Sequence, residues 1–338
     1  MWVRRRSKEG RDGRGTAVAD RRIWEEDPLT VEALPDSRVP SPRSRSFFQR
    51  EGVVALVFLL PFLVLFLVFR VWPILQAVDL SFDNIESIGQ GEFVGLENYR
   101  DLAADDRFLA ALQNNTVYTV GTLLLLIPIP LVLAAFLHSG RVKAPDAFRT
   151  ILFLPLLAGL VVVAVVFQLL LNANGILNRG LGAIGLPAPE WLETPALAIP
   201  SLIILALWRW TGINIIYFTT GLGNIPTDLY EAAAIDGASG LRRFFHISVP
   251  LLKPIILFVS VLTLIGGFQL FTEPYVLYAS TAGSGPNRGA LSMVVLLYRT
   301  AFTSFRLGYA SAMGVVLALI VVAVSAVQLR AFGFFKKD

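Results

Sequence analysis

The chain has 338 residues, 55% of them hydrophobic and 16% charged, with a formal net charge of +4 and a mean hydropathy of +0.64. A soluble domain carries nearer a quarter charged residues, and the apolar residues here gather into runs long enough to cross a bilayer, which excludes an ordinary water-soluble fold. No cysteine is present, so disulfides, thiolate metal sites and cysteine nucleophiles are excluded as well.

Residues 1–50 are rich in Arg, carry Pro28, Pro35, Pro40 and Pro42, and show no sustained apolar periodicity. Such a segment cannot bury enough surface to offset its ordering entropy, which predicts a disordered tail. It has no small-residue cleavage site of a signal peptide, so the first apolar run is expected to stay in the mature protein. Six spans follow, at about 53–71, 116–137, 151–171, 197–219, 251–270 and 308–329. Each approaches the roughly 20 residues that a helix needs to cross about 30 Å. Continuous apolar runs favour helices over the alternation of a membrane barrel. The expectation is therefore an all-α polytopic membrane protein, with a membrane domain over 51–335. Arg70 and Trp72 are expected as an interfacial pair closing the first span.

Lys and Arg set the orientation. With the N-terminus inside, the tail, the 138–149 loop, the 221–254 loop and the C-terminus place 21 basic residues on the cytoplasmic side, against six in the outer loops. Both termini are thus expected in the cytoplasm. The basic excess reads as a topology signal, and nucleic acid is not an expected partner.

The inside loop over 225–250 is unlike a simple connector. Pro226 ends the helix before it, and Asp228 is expected to cap the next one, with Glu231 three residues on in a capping-box arrangement. Alanines at 232–234 favour helix. Gly237 allows a sharp turn, Ser239 can cap a second short helix, and Pro250 suits the start of span five. Two short helices joined at a glycine are predicted.

Glu231-Ala232-Ala233, then Gly237, Ile247 and Pro250 resemble the EAA loop of the permeases of binding-protein-dependent ABC importers, with Val249 where Leu is usual. Phe93 to Tyr99, Asn114-Asn115-Thr116, Trp208 to Gly212 and Gly308 to Ala312 resemble the sugar-importing branch, including its maltose and glycerol-3-phosphate permeases. Thr281 to Pro286 carries an insertion relative to that branch, and the large outer insertion of the maltose permease is missing. The resemblance covers roughly 50–335 and implies a permease importing an oligosaccharide or related carbohydrate, such as an α-glucoside. It further implies that the loop residues Glu231, Ala232, Ala233, Asp236, Gly237, Ile247 and Pro250 engage an ATPase subunit. The implied partners are an ATPase dimer, a second homologous permease and an extracytoplasmic solute-binding protein, with lipid around the spans.

Polar residues within spans face a pathway or another helix. Trp208, Arg209 and Trp210 on span four offer aromatic faces and a donor to a sugar ring; equally, they make an interfacial belt with Arg209 snorkelling. Asn214 can share the face of Trp210. Gln269 and Glu273, four apart after span five, can face one way, or Glu273 lies outside the hydrocarbon. Gln168, four from Asn172, is a pathway residue or a helix–helix hydrogen bond.

There is no P-loop, so ATP is expected on a partner, and no cofactor is expected in this chain. His138 and His246 have no metal-ligand spacing. Catalysis is not expected. The alternatives are a permease of the same class for a non-sugar solute and an ion-coupled secondary transporter. The latter needs mid-span acids, which the six runs lack.

Overall fold

The computed structural model describes residues 51–85, 91–140 and 142–333. The predicted disordered tail, Arg141 and the last residues of the predicted membrane domain lie outside the described residues. The chain divides into two units, Met1–Pro61 and Phe62–Asp338. In the first, the described part is the beginning of α1 (Glu51–Phe66).

A π turn at Leu67–Val71 leads from α1 into α2 (Trp72–Leu80). Helix thus continues past Arg70 and Trp72. The wider turn takes up Pro73, which has no N–H to give the turn before it. A two-residue antiparallel pair, β1 (Asp83–Asn84) with β2 (Glu92–Phe93), and α3 (Glu97–Ala104) follow. Asn98 Nδ2 fixes this corner by donating to the carbonyls of Ser81 (3.0 Å) and Asp83 (2.9 Å).

The next helix starts ten residues before its apolar run, as α4 (Asp106–Leu126), and passes a proline break into α5 (Pro128–His138). Asp105 caps α4: its carboxylate accepts from the Arg107 N–H at 2.8 Å, from the Arg107 guanidinium, and from Tyr309 Oη at 3.1 Å. Burial alone would raise the Asp105 carboxyl, but these hydrogen bonds outweigh it and hold it below its usual range.

The run expected to be one span at 151–171 is two helices. Between α6 (Pro145–Leu157) and α7 (Leu160–Leu171), Ala158 and Gly159 are extended, with ψ of 138° and 135°. The apolar stretch then continues from α7 into α8 (Ile176–Ala183). Helix α9 (Pro195–Gly223) is a single 29-residue rod. Beyond it come α10 (Thr227–Ile235), α11 (Gly240–Arg243), a π turn at Phe244–Ser248, α12 (Val249–Leu251) and α13 (Lys253–Phe268). The chain ends through α14 (Thr272–Leu277), α15 (Met293–Phe302) and α16 (Leu307–Ala331). Among the described residues, five helical stretches are long and apolar enough to cross a membrane, and the bent pair Gly240–Leu251 and Lys253–Phe268 makes up to six. The fold is all-α, as expected.

Three apolar clusters form the core. One joins α7, α9 and α14 through Phe167, Leu202, Leu205 and Leu277. A second joins α3, α4, α13, α15 and α16 through Leu102, Phe108, Leu264, Val295 and Met313. The third, at the opposite ends of α5 and α9, holds Leu137, Phe218, Leu222 and Leu252, with Val142 and Phe244 against it. This third cluster brings Val142 and the 225–252 segment to one face of the bundle. Large apolar side chains elsewhere on the spans, such as Leu124, Val162 and Val322, are exposed. That pattern suits a lipid solvent, in which apolar surface needs no cover.

Candidate functional site

Two regions hold most of the residues singled out from the sequence: the helix pair after α9, and a cavity among α4, α9, α13 and α14.

In the helix pair, α10 ends in a Schellman closure. Gly237 has φ +75°, its N–H donates to the Ala234 carbonyl at 3.0 Å, and the Ala238 N–H donates to Ala233 at 2.8 Å. Only glycine takes that left-handed backbone freely. Ser239 then caps α11 by accepting from the Arg242 N–H at 3.3 Å. Two details depart from expectation. Pro226 precedes α10 with no side-chain cap, and Asp228 lies inside the first turn, so the capping box does not form. Pro250 is also not the start of the fifth span. Pro254 has no N–H for the Pro250 carbonyl, so the ladder breaks at Leu252, and α13 leaves at a 69° bend.

The pair is braced where no motif pointed. Tyr230 Oη and Ser248 Oγ lie 2.9 Å apart, and Arg243 Nη1 donates to the Tyr230 carbonyl at 3.4 Å. Glu231, Ala232, Asp236, Gly237 and Pro250 are exposed, and Ala233 and Ile247 are half-buried. Ile235 is 88% exposed and Leu241 70%. These two apolar side chains stand out uncovered among the described residues.

The cavity has a volume of about 280 Å³. Trp210, Asn214 and Glu273 line it, together with Tyr118, Thr122, Tyr217, Thr263 and the glycines 266 and 267. Tyr118 and Thr122 escaped the sequence reading, although their spacing of four put them on one face of span two. Gly267 brings the α13 backbone against Thr119: a Cβ there would lie 2.3 Å from Thr119 Oγ1. Asn115 holds this end of α13, with Nδ2 donating to the Gly267 carbonyl at 2.7 Å and Oδ1 accepting from the Met293 N–H at 2.8 Å.

The other expected pathway residues lie elsewhere. Arg209 is buried, so it does not snorkel; Nη1 donates to the carbonyls of Ala158 (2.7 Å) and Pro155 (3.3 Å). Those carbonyls were freed by the break between α6 and α7, and lipid offers them no other donor. Asn214 does similar work while lining the cavity. Its Nδ2 donates at 3.1 Å to the Leu126 carbonyl, whose normal helical partner would be the N–H that Pro130 lacks. Trp208 packs on Phe167, ring centroids 5.5 Å apart, away from the cavity. Gln269 and Glu273 do not share a face. Helix α13 ends at Phe268 and α14 starts at Thr272, so helical spacing does not hold between them; Gln269 is exposed and Glu273 buried. Gln168 and Asn172 line a separate polar hollow with Glu190, Glu193 and Tyr278.

Residues 51–332 match the family described as binding-protein-dependent transport system inner membrane component. The chain is 38% identical to the arabinooligosaccharides transport system permease protein of Bacillus subtilis (strain 168), over 91% of this chain and 97% of that one. It is 35% identical to the lactose transport system permease protein of Rhizobium radiobacter, over 85% and 97%. Its fold is similar to that of a bacterial ABC transporter involved in the import of the acidic polysaccharide alginate, with a TM-score of 0.74 at 24% identity, over 86% of this chain and 98% of that one.

Proposed function

The chain belongs to the family of binding-protein-dependent transport system inner membrane components, and from that premise we propose that it is the sugar-conducting permease of an ATP-driven importer. Its relatives named for arabinooligosaccharide and lactose transport support carbohydrate as the cargo. The cavity supports it too. It offers hydroxyl, amide and carboxyl groups for sugar hydroxyls, and the rings of Trp210 and Tyr217 for the apolar faces of a pyranose or furanose.

The observation that carries the mechanism is the glycine-hinged helix pair. A rigid α10, closed at Gly237 and braced through Tyr230 and Ser248, is held on the third core cluster and exposes Ile235 and Leu241. In our reading this face is cytoplasmic, with both termini on the same side. The exposed pair seats in an ATPase dimer, a second related permease completes the pore, and an extracytoplasmic solute-binding protein delivers cargo from the far side. Closure of the ATPases pushes α10, and the 69° bend into α13 passes that displacement to a wall of the cavity. ATP shifts the balance of access only as far as it binds one state more tightly than the other.

Gly237→Val tests this. A β-branched residue in the left-handed region costs about 1–2 kcal/mol or more, so the closure of α10 is expected to fail. Uptake in proteoliposomes should drop to background while the permease still inserts and is purified. Normal uptake by the variant, with cargo-stimulated ATP hydrolysis intact, would remove the coupling role.

A further inference from the structure

The cavity carries one acid and no base. None of its twelve lining residues is Lys, Arg or His, and Glu273 is the single carboxylate among them. Glu273 is 8% exposed, and among the described residues no cation lies within ion-pair distance of it. Arg209, outside the lining, attracts it; its Nη1 donates to the carbonyls of Pro155 and Ala158, and its Cζ lies 5.4 Å from the ring centroid of Trp210.

An anion entering this space meets no cation among the lining residues. An ionised Glu273 repels it, and a protonated Glu273 offers one hydrogen bond without a positive charge. Burying an unpaired carboxylate or phosphate costs several kcal/mol, more than a few hydroxyl hydrogen bonds return at about 1 kcal/mol each. Neutral hydroxyls face the opposite balance, because a carboxyl accepts from them strongly. Building on the pathway proposed above, we infer that Glu273 is a specificity residue acting as a charge filter: the cavity passes uncharged carbohydrate and rejects carboxylated or phosphorylated sugars. The solved structure named above belongs to a transporter of an acidic polysaccharide; this lining suits the other class of cargo.

The absence of cysteine makes the test direct. A single thiol is introduced at the cavity wall (Thr263→Cys) in the complete transporter, assembled with cysteine-free partners. Its modification rates by a trimethylammonium and a sulfonate thiosulfonate reagent are measured, each divided by the rate with a free thiol in solution. The cationic reagent should be favoured by about tenfold or more, Glu273→Asp should keep that preference, and Glu273→Gln should reduce it to about threefold or less. A normalised ratio near one with Glu273 in place overturns the filter and leaves the pathway standing, as does a preference unchanged by Glu273→Gln. Failure of both reagents to react means that position 263 does not open to water, which overturns the pathway and the filter together. Should Glu273→Gln fail to assemble, Glu273→Ser supplies the neutral variant, with the same loss of preference expected.

Discussion

In the helix pair over 227–251, turns are closed by neighbours: Gly237 and Ala238 return to carbonyls three and five residues back, and Ser239 caps a helix three residues ahead. Along α9 the closing partners are remote. Arg209 reaches carbonyls 51 and 54 residues earlier in the chain, and Asn214 reaches one 88 residues earlier. The difference follows from solvent. Where water reaches a turn it satisfies whatever the turn leaves open, so local chemistry suffices. Within lipid every carbonyl opened by a proline or a break must find a donor in another helix. Polar residues that resemble substrate contacts are then claimed by the backbone.

Four substitutions probe that contrast, taken from the largest expected effect. Gly212 lies between Arg209 and Asn214 on α9, where an added Cβ would sit 1.9 Å from the Leu152 carbonyl oxygen. A backbone atom cannot swing aside, so Gly212→Val should exceed the about 1–3 kcal/mol of ordinary overpacking. Little folded protein should be recovered by size-exclusion chromatography in detergent; a normal yield would mean that the α6–α9 seam is slack.

Arg209→Met strands the two carbonyls at the α6–α7 break, each worth about 1–3 kcal/mol when left unmet. The expected outcome is a clearly lower Tm. If instead the Tm holds and only cargo affinity falls, Arg209 serves the pathway after all, and the contrast between the two regions narrows. Trp210→Ala should act in the reverse sense. It leaves the backbone closures untouched and removes a stacking face worth about 0.5–1.5 kcal/mol, so uptake should fall severalfold with assembly unchanged. Full uptake by this variant would remove the stacking role.

The smallest effect belongs to Asp105. Its carboxyl is held below the usual range by Arg107 and Tyr309, so it contributes stability above the pKa of the unfolded chain, and that contribution is lost as the pH falls through the folded value. Tyr309→Phe should shift acid unfolding slightly to higher pH, read as the loss of folded signal on acid titration in detergent. An unchanged midpoint would show that the bond from Tyr309 contributes nothing.

Much of the helix pair was legible in advance because its determinants are short-range. Gly237 and Ser239 act on adjacent turns, and their residue types name their roles. The exception, Asp228, shows the limit: the capping pattern is present, but Pro226 takes the N-cap position, two residues earlier. Tyr230 and Ser248 gave no signal, since 18 residues separate them. In the cavity, Trp210 and Asn214 were found through helical spacing that persists along an unbroken α9. Between Gln269 and Glu273 that spacing does not hold, because a helix end separates them.

The sequence alone determined that the chain lives in lipid, that its spans are helical, and that a glycine-hinged helix pair follows the fourth apolar run, because hydropathy and turn chemistry act over a few residues. Tertiary structure decided which polar side chains repair the breaks in spans two and three, and which acid is left facing the cavity. Those outcomes depend on which helices meet, and a carbonyl without its own N–H partner does not announce which distant donor will reach it.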